Sequence, residues 1–352
     1  MLSTTGIPRL AHSAPRLGNT LPGEVSGLPD VAARLSTQHT VARSLVHRDA
    51  VSEVFVTDAL GFARGFVVAA QLPSAHSYYT DHTVASRMPD PLLLLECARQ
   101  AETMGVHEFL GAPRQTAFLL QRWTMDLAPL QDADLSARQP HTVVIVDEPE
   151  VRGAGGKLRG AEHRMRLYLR SQHIGTITMT VAYLPSATYR AVRAKGRGSI
   201  PPMSDGITTG DKWGVCRPSQ VGRHNPDNVV LRFPQALGGQ LVALLCPLID
   251  HPSLFDHPQD HIPGMALMEA ARQAALLASS EFGFGPPEYT ALVSLDADFA
   301  SYTELDRVTT VRTGQPQVTG PDSCEVSVAF HQADVITATA TIGLRRVPIQ
   351  KV

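Results

Sequence analysis

Apolar positions follow two different periods along this chain. Alternating, valine-rich stretches such as EVFVTDA (53–59) and GFVVAAQL (65–72) predict antiparallel strands. The stretches LLLLECA and MALMEAA are instead apolar nearly all round, which predicts two long buried helices. Asp90 before Pro91 is a good start for the first helix, and the second opens at Pro263-Gly264. Glycines, Gly111 and Gly283, are expected to end them.

The same order of elements occurs twice. An ungapped alignment of the two helices pairs three polar residues of the first copy with identical residues of the second. Upstream, AHSYYTDH (75–82) lies over DHPSLFDH (250–257). A unit of about 130 residues is too long for a solenoid repeat and fits a duplicated domain. The helical pairs are Glu96 with Glu269, Arg99 with Arg272 and Gln100 with Gln273.

Each copy therefore predicts one long helix wrapped by a curled antiparallel sheet, which is the hot-dog architecture of an α+β protein. Two copies in one chain predict a tandem hot-dog pseudo-dimer; a further homodimer stays open. We expect four segments. They are a loose Pro-, Ser- and Gly-rich arm (1–40), repeat 1 (41–184), a basic Gly- and Pro-rich linker (185–225) and repeat 2 (226–348).

Composition excludes several classes of protein. A formal net charge of −2 over 352 residues gives no general attraction to nucleic acid or to anionic membranes. The apolar runs are too short to span a bilayer, and the N-terminus has no apolar signal region, so we expect a cytoplasmic protein. The four cysteines are far apart and indicate neither a disulfide framework nor a zinc site: Cys97, Cys216, Cys246 and Cys324.

The loop before the second helix, FDHPQDH (255–261), holds two Asp-His pairs. His257 and His261 have the spacing of two metal ligands on a helix, but Pro258 and Pro263 argue against one helix presenting both. The matching loop of repeat 1 has a single histidine at this point. We therefore expect neither a metal nor another cofactor.

Acid-base chemistry is the alternative for the loop and the helix. Glu269 falls about one and a half turns inside a nearly apolar helix, where loss of solvation raises a carboxyl pKa toward that of a working base. A purely structural ion pair with Arg272, three residues on, would also explain it. The same Glu, Arg and Gln in both copies, each preceded by an Asp-His loop, favour a functional role.

The loop and the start of the second helix resemble two known families. FDHPQDHIPGMALMEAARQA is similar to the loop-helix signature of β-hydroxyacyl-carrier-protein dehydratases, and more closely to the AfsA-like family. That family comprises the A-factor biosynthesis proteins, the γ-butyrolactone and furan autoregulator synthases. The first-repeat stretches AQLPSAHSYYTDH and DPLLLLECARQ resemble it too, so the resemblance covers roughly residues 45–346.

The resemblance implies a reaction. A β-ketoacyl group passes from acyl carrier protein to the hydroxyl of dihydroxyacetone phosphate, and the ester closes to a butenolide or a furan. It also implies that the loop of each copy faces the helix of the other, pairing His257 with Glu96 and His82 with Glu269. Because only repeat 2 keeps the complete loop, we expect unequal sites, with the one holding Glu269 or His257 dominant.

The chemistry requires a base for the hydroxyl, donors for the thioester oxyanion and fixed positive charge for the phosphate.

The basic linker could bind an acidic carrier protein or could simply be solvated. Its basic residues are Arg190, Arg193, Lys195 and Arg197. The catalytic candidates are Glu269, His257, Glu96, His82 and Asp256; the substrate-binding candidates are Arg272, Arg99, Gly264, Met265, Gln273, Gln100, Arg122 and His261.

Two rival functions remain open from the sequence. A hydratase or dehydratase acting on a hydroxyacyl thioester is favoured by the loop-helix signature and disfavoured by the paired arginines. A non-catalytic binder of an acyl signal would not need a buried Glu and Arg in both copies.

Overall fold

A computed structural model describes residues 28–84, 89–128, 141–155, 157–208 and 213–347. Both copies contain one long helix and a set of strands, in the predicted order. The first copy comprises α1 (Leu28–Ala32), β1 (Val56–Phe62), β2 (Gly65–Leu72), α2 (Pro91–Glu108), β3 (Thr116–Leu127), β4 (His141–Asp147), β5 (Glu150–Ala154), β6 (Lys157–Leu169) and β7 (Gln172–Pro185).

The second copy follows a connecting helix, α3 (Ser186–Arg197). Its elements repeat the strand-strand-helix-strands order of the first. They are β8 (Leu231–Leu237), β9 (Gln240–Leu245), α4 (Gly264–Glu281), β10 (Thr290–Phe299), β11 (Thr310–Thr313), β12 (Gln317–Gly320), β13 (Ser323–Gln332) and β14 (Val335–Arg346).

The strands of both copies form one continuous sheet. Its order is β1-β2-β4-β6-β7-β3-β10-β14-β13-β11-β9-β8, with β5 added beside β6 and β12 beside β13. The two copies meet where β3 pairs antiparallel with β10, with Trp123 opposite Ala297. Since every strand pair is antiparallel and the seam is hydrogen-bonded, the predicted tandem hot-dog pseudo-dimer is confirmed.

The two long helices begin and end where the sequence predicts. The Asp90 side chain accepts a hydrogen bond from the backbone N–H of Leu92 at 2.9 Å and so caps α2. α4 begins at Gly264, after Pro263. Left-handed glycines follow both helices, Gly111 with φ 73° and Gly283 with φ 79°. Both helices are buried on nearly all sides and contact each other.

The described end of the arm that was predicted to be loose is packed against the sheet. Leu28, Val31 and Leu35 cover apolar side chains on the outer face of the first sheet half, including Leu60 and Val144. An outward apolar patch on a sheet requires such a cover, which explains why part of the arm is ordered. Residues 1–27 of the predicted arm lie outside the described residues.

The predicted linker also differs from expectation, because α3 packs against β3 and β7. Within the described ranges, no helix is long and apolar enough to cross a membrane.

Candidate active site

The first of two buried polar clusters surrounds Glu96, in the second turn of α2; we call it the Glu96 cluster. The carboxylate is fully buried and pairs with Arg48 (Nη2–Oε1, 2.5 Å) and Arg99 (Nε–Oε2, 2.8 Å). The amide of Gln100 donates to Glu96 Oε1 at 2.7 Å, and its oxygen accepts from the backbone N–H of Phe55 at 2.9 Å. Gln100 thereby joins the helix to the start of β1.

The second cluster repeats this arrangement around Glu269, in the second turn of α4; we call it the Glu269 cluster. Arg223 donates to the carboxylate at 3.0 Å, Arg272 at 2.5 Å and Gln273 at 2.5 Å. The phenol of Tyr78, from the loop of repeat 1, donates to it at 3.0 Å. Thus the loop of repeat 1 reaches the helix of repeat 2.

Neither glutamate has the pKa of a working base. Burial alone would raise the pKa of Glu96, but Arg48 and Arg99 outweigh burial and hold that pKa at about 2. The pKa of Glu269 is likewise about 2, because burial is outweighed by Arg223 and Arg272. The expectation that burial raises these pKa values is therefore wrong, since it left a second arginine in each cluster out of account.

A cavity of about 430 Å³ adjoins the Glu96 cluster. Arg48 and Arg99 line it from repeat 1, and His257, Gln259 and His261 line it from the loop of repeat 2. The structure thus brings the loop of repeat 2 to the glutamate of repeat 1. The beginning of α4 and apolar side chains complete the walls: Pro263, Gly264, Met265, Phe118, Leu120, Trp123, Met179, Val181, Leu254, Ile262, Leu267 and Phe299.

The first Asp-His pair of this loop is tied to repeat 1. Asp256 accepts hydrogen bonds from the backbone N–H groups of Asp49 at 2.6 Å and Ala50 at 2.9 Å, and lies 3.4 Å from His257 Nδ1. Burial would raise the pKa of Asp256, but the hydrogen bonds from His257 and from these amides lower it overall. Gln259 contacts the other ring nitrogen of His257 at 2.6 Å. The carboxylate therefore orients this imidazole.

The second Asp-His pair is held by α3. His261 Nδ1 lies 2.5 Å from Asp260, whose carboxylate also accepts from Tyr189 at 2.8 Å and from Arg193 Nε at 3.1 Å. Burial would raise the pKa of Asp260, but His261 and these donors hold it well below its usual range. α3 thus fixes one wall of the cavity.

The predicted docking role of the basic segment needs correction for two of its four residues. Arg193 is buried and pairs with Glu304 at 2.8 Å as well as with Asp260. Arg197 pairs with Glu304 at 2.7 Å and with Asp306 at 2.5 Å. These two arginines serve internal ion pairs and are not available to a carrier protein.

A smaller cavity of about 250 Å³ adjoins the Glu269 cluster, with His82, Asp90 and Arg272 in its wall. His82 Nε2 lies 2.7 Å from the carbonyl oxygen of Tyr79 and 3.5 Å from Asp90. Burial lowers the pKa of His82. Arg272 donates to Asp90 at 2.7 Å, so His82 reaches Glu269 only through Asp90 and Arg272. The structure does not bring His82 and Glu269 into the direct pairing that the resemblance implied.

Arg122 lies away from both cavities. Its guanidinium pairs with Asp298 at 2.9 Å and with Asp296 at 2.6 Å on the exposed face of the sheet, across the β3–β10 seam. Since successive side chains of a strand point to opposite faces, the inward position of Trp123 sends Arg122 outward. Arg122 therefore links the two repeats through ion pairs and does not face the cavity.

Comparisons with known proteins follow the same division of the chain. The A-factor biosynthesis hotdog domain matches residues 30–185 and 214–348. The chain belongs to this A-factor biosynthesis family. The resemblance drawn from the loop and helix motifs is thereby confirmed, and the family domain falls on both halves of the pseudo-dimer.

Two relatives in the A-factor biosynthesis family share the name 2-oxo-3-(phosphooxy)propyl 3-oxoalkanoate synthase. The Streptomyces virginiae protein is 32% identical over 309 residues, covering 87% of this chain and 98% of that protein. A Streptomyces griseus relative is 29% identical over 332 residues, covering 91% and 97%. Among solved structures, the dehydratase domain of RzxB from Pseudomonas fluorescens aligns with 12% identity and a TM-score of 0.46, covering 82% of this chain and 98% of that one.

Sequence reasoning missed the second arginine of each cluster in this family member. The spacing that pairs Asp81 with Asp256 also pairs Arg48 with Arg223. Asp81 accepts from the backbone N–H groups of His224 and Asn225, in the same way that Asp256 accepts from the residues after Arg48. Extending the repeat upstream at this spacing would have found both arginines.

The two clusters differ in charge. The Glu96 cluster sets Arg48 and Arg99 against one carboxylate. In the Glu269 cluster, Arg223 and Arg272 face two carboxylates, Glu269 and Asp90. The Glu96 cluster therefore has an excess of fixed positive charge that the Glu269 cluster lacks. Among the described residues, no group of three or more His, Cys, Asp or Glu side chains is placed to hold a metal ion.

Proposed function

We propose that this protein transfers a β-ketoacyl (3-oxoacyl) group from an acyl carrier protein thioester to the hydroxyl of dihydroxyacetone phosphate. The ester then condenses intramolecularly to a butenolide or furan phosphate. The relatives' name describes this ester, since its 2-oxo-3-(phosphooxy)propyl part is the three-carbon acceptor. The observation that carries the proposal is one cavity holding excess positive charge, two Asp-His pairs and a helix start.

The arginines of the Glu96 cluster supply the phosphate site. Arg48 and Arg99 line the cavity, and Glu96 neutralises only one of them. Guanidinium groups bind phosphate oxygens through paired, charge-assisted hydrogen bonds. Glu96 and Gln100 hold both groups in place from behind, so the glutamate positions the arginines and does not act as the base.

The start of α4 supplies donors for the thioester oxyanion. The first backbone N–H groups of a helix have no partner inside the helix, and no side chain caps α4 at Pro263. Gly264 lies tightly against the cavity wall, where an added Cβ would approach Leu120 to 3.1 Å and Trp123 to 3.5 Å. The N–H groups of Gly264 and Met265 are therefore our candidates for the oxyanion site.

The imidazoles of the repeat 2 loop act as the general base and the general acid of the transfer. The acceptor has only three carbons, so a hydroxyl whose phosphate lies at Arg48 and Arg99 stays within reach of the same end of the cavity. His257, oriented by Asp256, takes the hydroxyl proton at Nε2 as the oxygen bonds to the thioester carbon; the substrate hydroxyl replaces the Gln259 amide at that nitrogen. The C–S bond then breaks, and His261, protonated and oriented by Asp260, gives a proton to the departing thiolate. The proton taken up by His257 restores His261 before the next turnover. In the condensation the methylene between the two acyl carbonyls loses a proton, and its carbon bonds to the ketone carbon of the acceptor. The ketone oxygen takes up that proton and then leaves as water with the second methylene hydrogen, which forms a C=C bond.

This assignment separates the proposal from the rival functions. A dehydratase of this kind needs a carboxyl group that gives and takes a proton, whereas both buried glutamates are held ionised at low pKa. A binder of an apolar acyl tail would gain nothing from buried arginines. The carrier-protein substrate places the proposed reaction in the cytoplasm.

Mass spectrometry of the reaction product tests the function. The purified protein is incubated with a β-ketoacyl carrier-protein thioester and dihydroxyacetone phosphate. We expect the phosphorylated ester, or that ester minus one water. Unphosphorylated dihydroxyacetone serves as the matched acceptor and should react poorly. Unchanged thioester or free β-keto acid alone would refute the proposal, and dehydration of a 3-hydroxyacyl thioester supplied in a parallel reaction would support the dehydratase.

A further inference from the structure

His47 stands at the rim of the larger cavity in a backbone conformation that ordinarily belongs to glycine. Its φ is 51°, in the left-handed region that costs free energy for a residue with a Cβ. It lines the cavity beside Arg48, while its chain neighbours Arg43 and Asp49 are exposed. His47 is itself half-buried, so it lies between the surface and the interior of the cavity.

The other half of the molecule provides an internal comparison. Arg48 and Arg223 occupy matching positions, so the residue that matches His47 is Gly222. Gly222 has a φ of 75° and lines the smaller cavity. The fold thus requires a left-handed residue at this position in both copies. At this position the smaller cavity has a glycine, which adopts a left-handed conformation without strain, and the larger cavity has a histidine.

Hydrogen bonds fix which ring nitrogen of His47 is the acceptor. His107 Nδ1 lies 3.0 Å from the carbonyl oxygen of Ala112, which can only accept, so that nitrogen carries the hydrogen. In neutral His107 the other nitrogen then has a lone pair. It lies 2.9 Å from His47 Nε2, which must donate to it. His47 Nδ1 is left as a hydrogen-bond acceptor and receives no hydrogen bond from any residue that the structure describes.

The surroundings keep this acceptor uncharged. Burial, followed by His107, Arg99 and His257, lowers the pKa of His47 to about 3. An imidazole that stays neutral through the physiological range accepts one hydrogen bond at Nδ1 and does not attract phosphate. It therefore suits a neutral donor group of the substrate.

We propose that His47 Nδ1 accepts a hydrogen bond from an amide N–H of the pantetheine-type arm that carries the thioester. The inference rests on the proposed function. In that reaction the acceptor offers a single O–H group, which His257 takes, so the arm amides are the remaining donors. The arm must cross the rim to place its thioester at the start of α4, and His47 stands on that rim. His107 is then a positioning residue, because it acts by fixing the ring of His47.

Two β-ketoacyl thioesters that differ in one group provide the test. One is the N-acetylcysteamine thioester, which has the nearest amide N–H; in the other, 2-acetoxyethanethiol replaces that N–H with an ester oxygen. Wild-type protein should favour the amide in kcat/KM by about three- to tenfold, the worth of one neutral hydrogen bond. H47G, which restores the residue of the matching site, should bring the ratio close to one. Since one preparation gives both values, the ratio does not depend on the folded fraction.

Three variants control for backbone strain and for loss of the ring. A333G relieves another left-handed residue, with φ 52°, in the turn between β13 and β14, and should keep the wild-type ratio. H47N retains an acceptor oxygen on a residue that tolerates left-handed backbone, and should keep part of the preference. H107F releases the ring of His47 and should also reduce the ratio.

A wild-type ratio near one, or an unchanged ratio in H47G, would overturn the role of His47. Failure of the proposed function is distinguishable from this outcome, because it would leave wild-type protein without any ester product. In that case calorimetric binding of the unreactive thioether analogues of the same pair measures the amide preference directly. Equal affinities of wild-type protein for the two analogues would again overturn the role.

Discussion

A carboxylate buried in each half of this molecule costs free energy that a structural ion pair seldom returns in full. The arrangement gains meaning from what the carboxylates hold. Glu96 fixes two guanidinium groups in a cavity wall, and the Arg99 side chain remains 21% exposed. In the Glu269 cluster the Arg272 side chain is only 7% exposed and also pairs with Asp90. The arginines of the Glu96 cluster are thus placed to bind a ligand, whereas those of the Glu269 cluster stabilise the fold.

Exchanging each helical arginine for methionine separates these two roles. In R99M, Glu96 keeps Arg48 and Gln100, so the protein should stay folded while its KM for dihydroxyacetone phosphate rises about ten- to hundredfold. That rise corresponds to a lost charge-assisted contact of about 1.5–3 kcal/mol. R272M should instead lower the free energy of unfolding by about 3 kcal/mol and leave this KM nearly unchanged, because it strips a partner from two buried carboxylates. Steady-state kinetics and denaturant unfolding decide the matter, and equal KM effects in the two variants would contradict it.

The residue scale also shows what the sequence could reveal about the site. The Glu, Arg and Gln of each helix were found because they share one turn-to-turn face and occur twice. Arg48 escaped notice because it lies 48 residues before Glu96 in the chain, and only folding brings the two together. The wrong prediction of a raised glutamate pKa has the same cause, because it considered burial without the second arginine of each cluster.

At the scale of elements, α3 shows where composition misleads. Its basic, glycine-containing sequence predicted a linker, yet Tyr189, Arg193 and Arg197 recur at four-residue spacing and face the protein on one side of a helix. That period was present in the sequence, but its partners on other elements, Asp260 and Glu304, were not apparent. The helix and strand boundaries that follow from Asp90 and from the alternating runs were predictable because local chemistry determines them.

The role of α3 can be tested through Tyr189, which donates to Asp260 at 2.8 Å. We expect Y189F to lower kcat about three- to tenfold while KM for either substrate changes little, because His261 loses its fixed orientation but no substrate contact is removed. Arg190 is exposed on the same helix, so R190Q is the matched control and should retain wild-type kcat. A Y189F variant with unchanged kcat, or a loss that R190Q shares, would argue against positioning by α3.

On the scale of the whole molecule, duplication makes each cavity depend on both copies. The continuous sheet across β3 and β10 keeps the copies in register, and the larger cavity combines arginines of repeat 1 with the loop of repeat 2. The repeat and its fold were visible in the sequence. The charge difference between the two clusters was not visible in the sequence. It arises because Asp90 is both the N-cap of α2 and the partner of Arg272, 182 residues away.

This charge difference predicts how many acceptor molecules bind one chain. Calorimetric titration with dihydroxyacetone phosphate should give one site per chain, since the Glu96 cluster has an unmatched cation and the Glu269 cluster does not. R99M should weaken that site. D90N retains an N-cap oxygen but frees Arg272 of one negative partner, so a second, weaker site should appear in it. Salt should weaken binding at both sites, and inorganic phosphate should compete for them. Two equal sites in the wild-type protein would contradict the predicted effect of the charge difference. A single site lost in R272M and kept in R99M would show that the cavity at Glu96 is not the one that holds the phosphate.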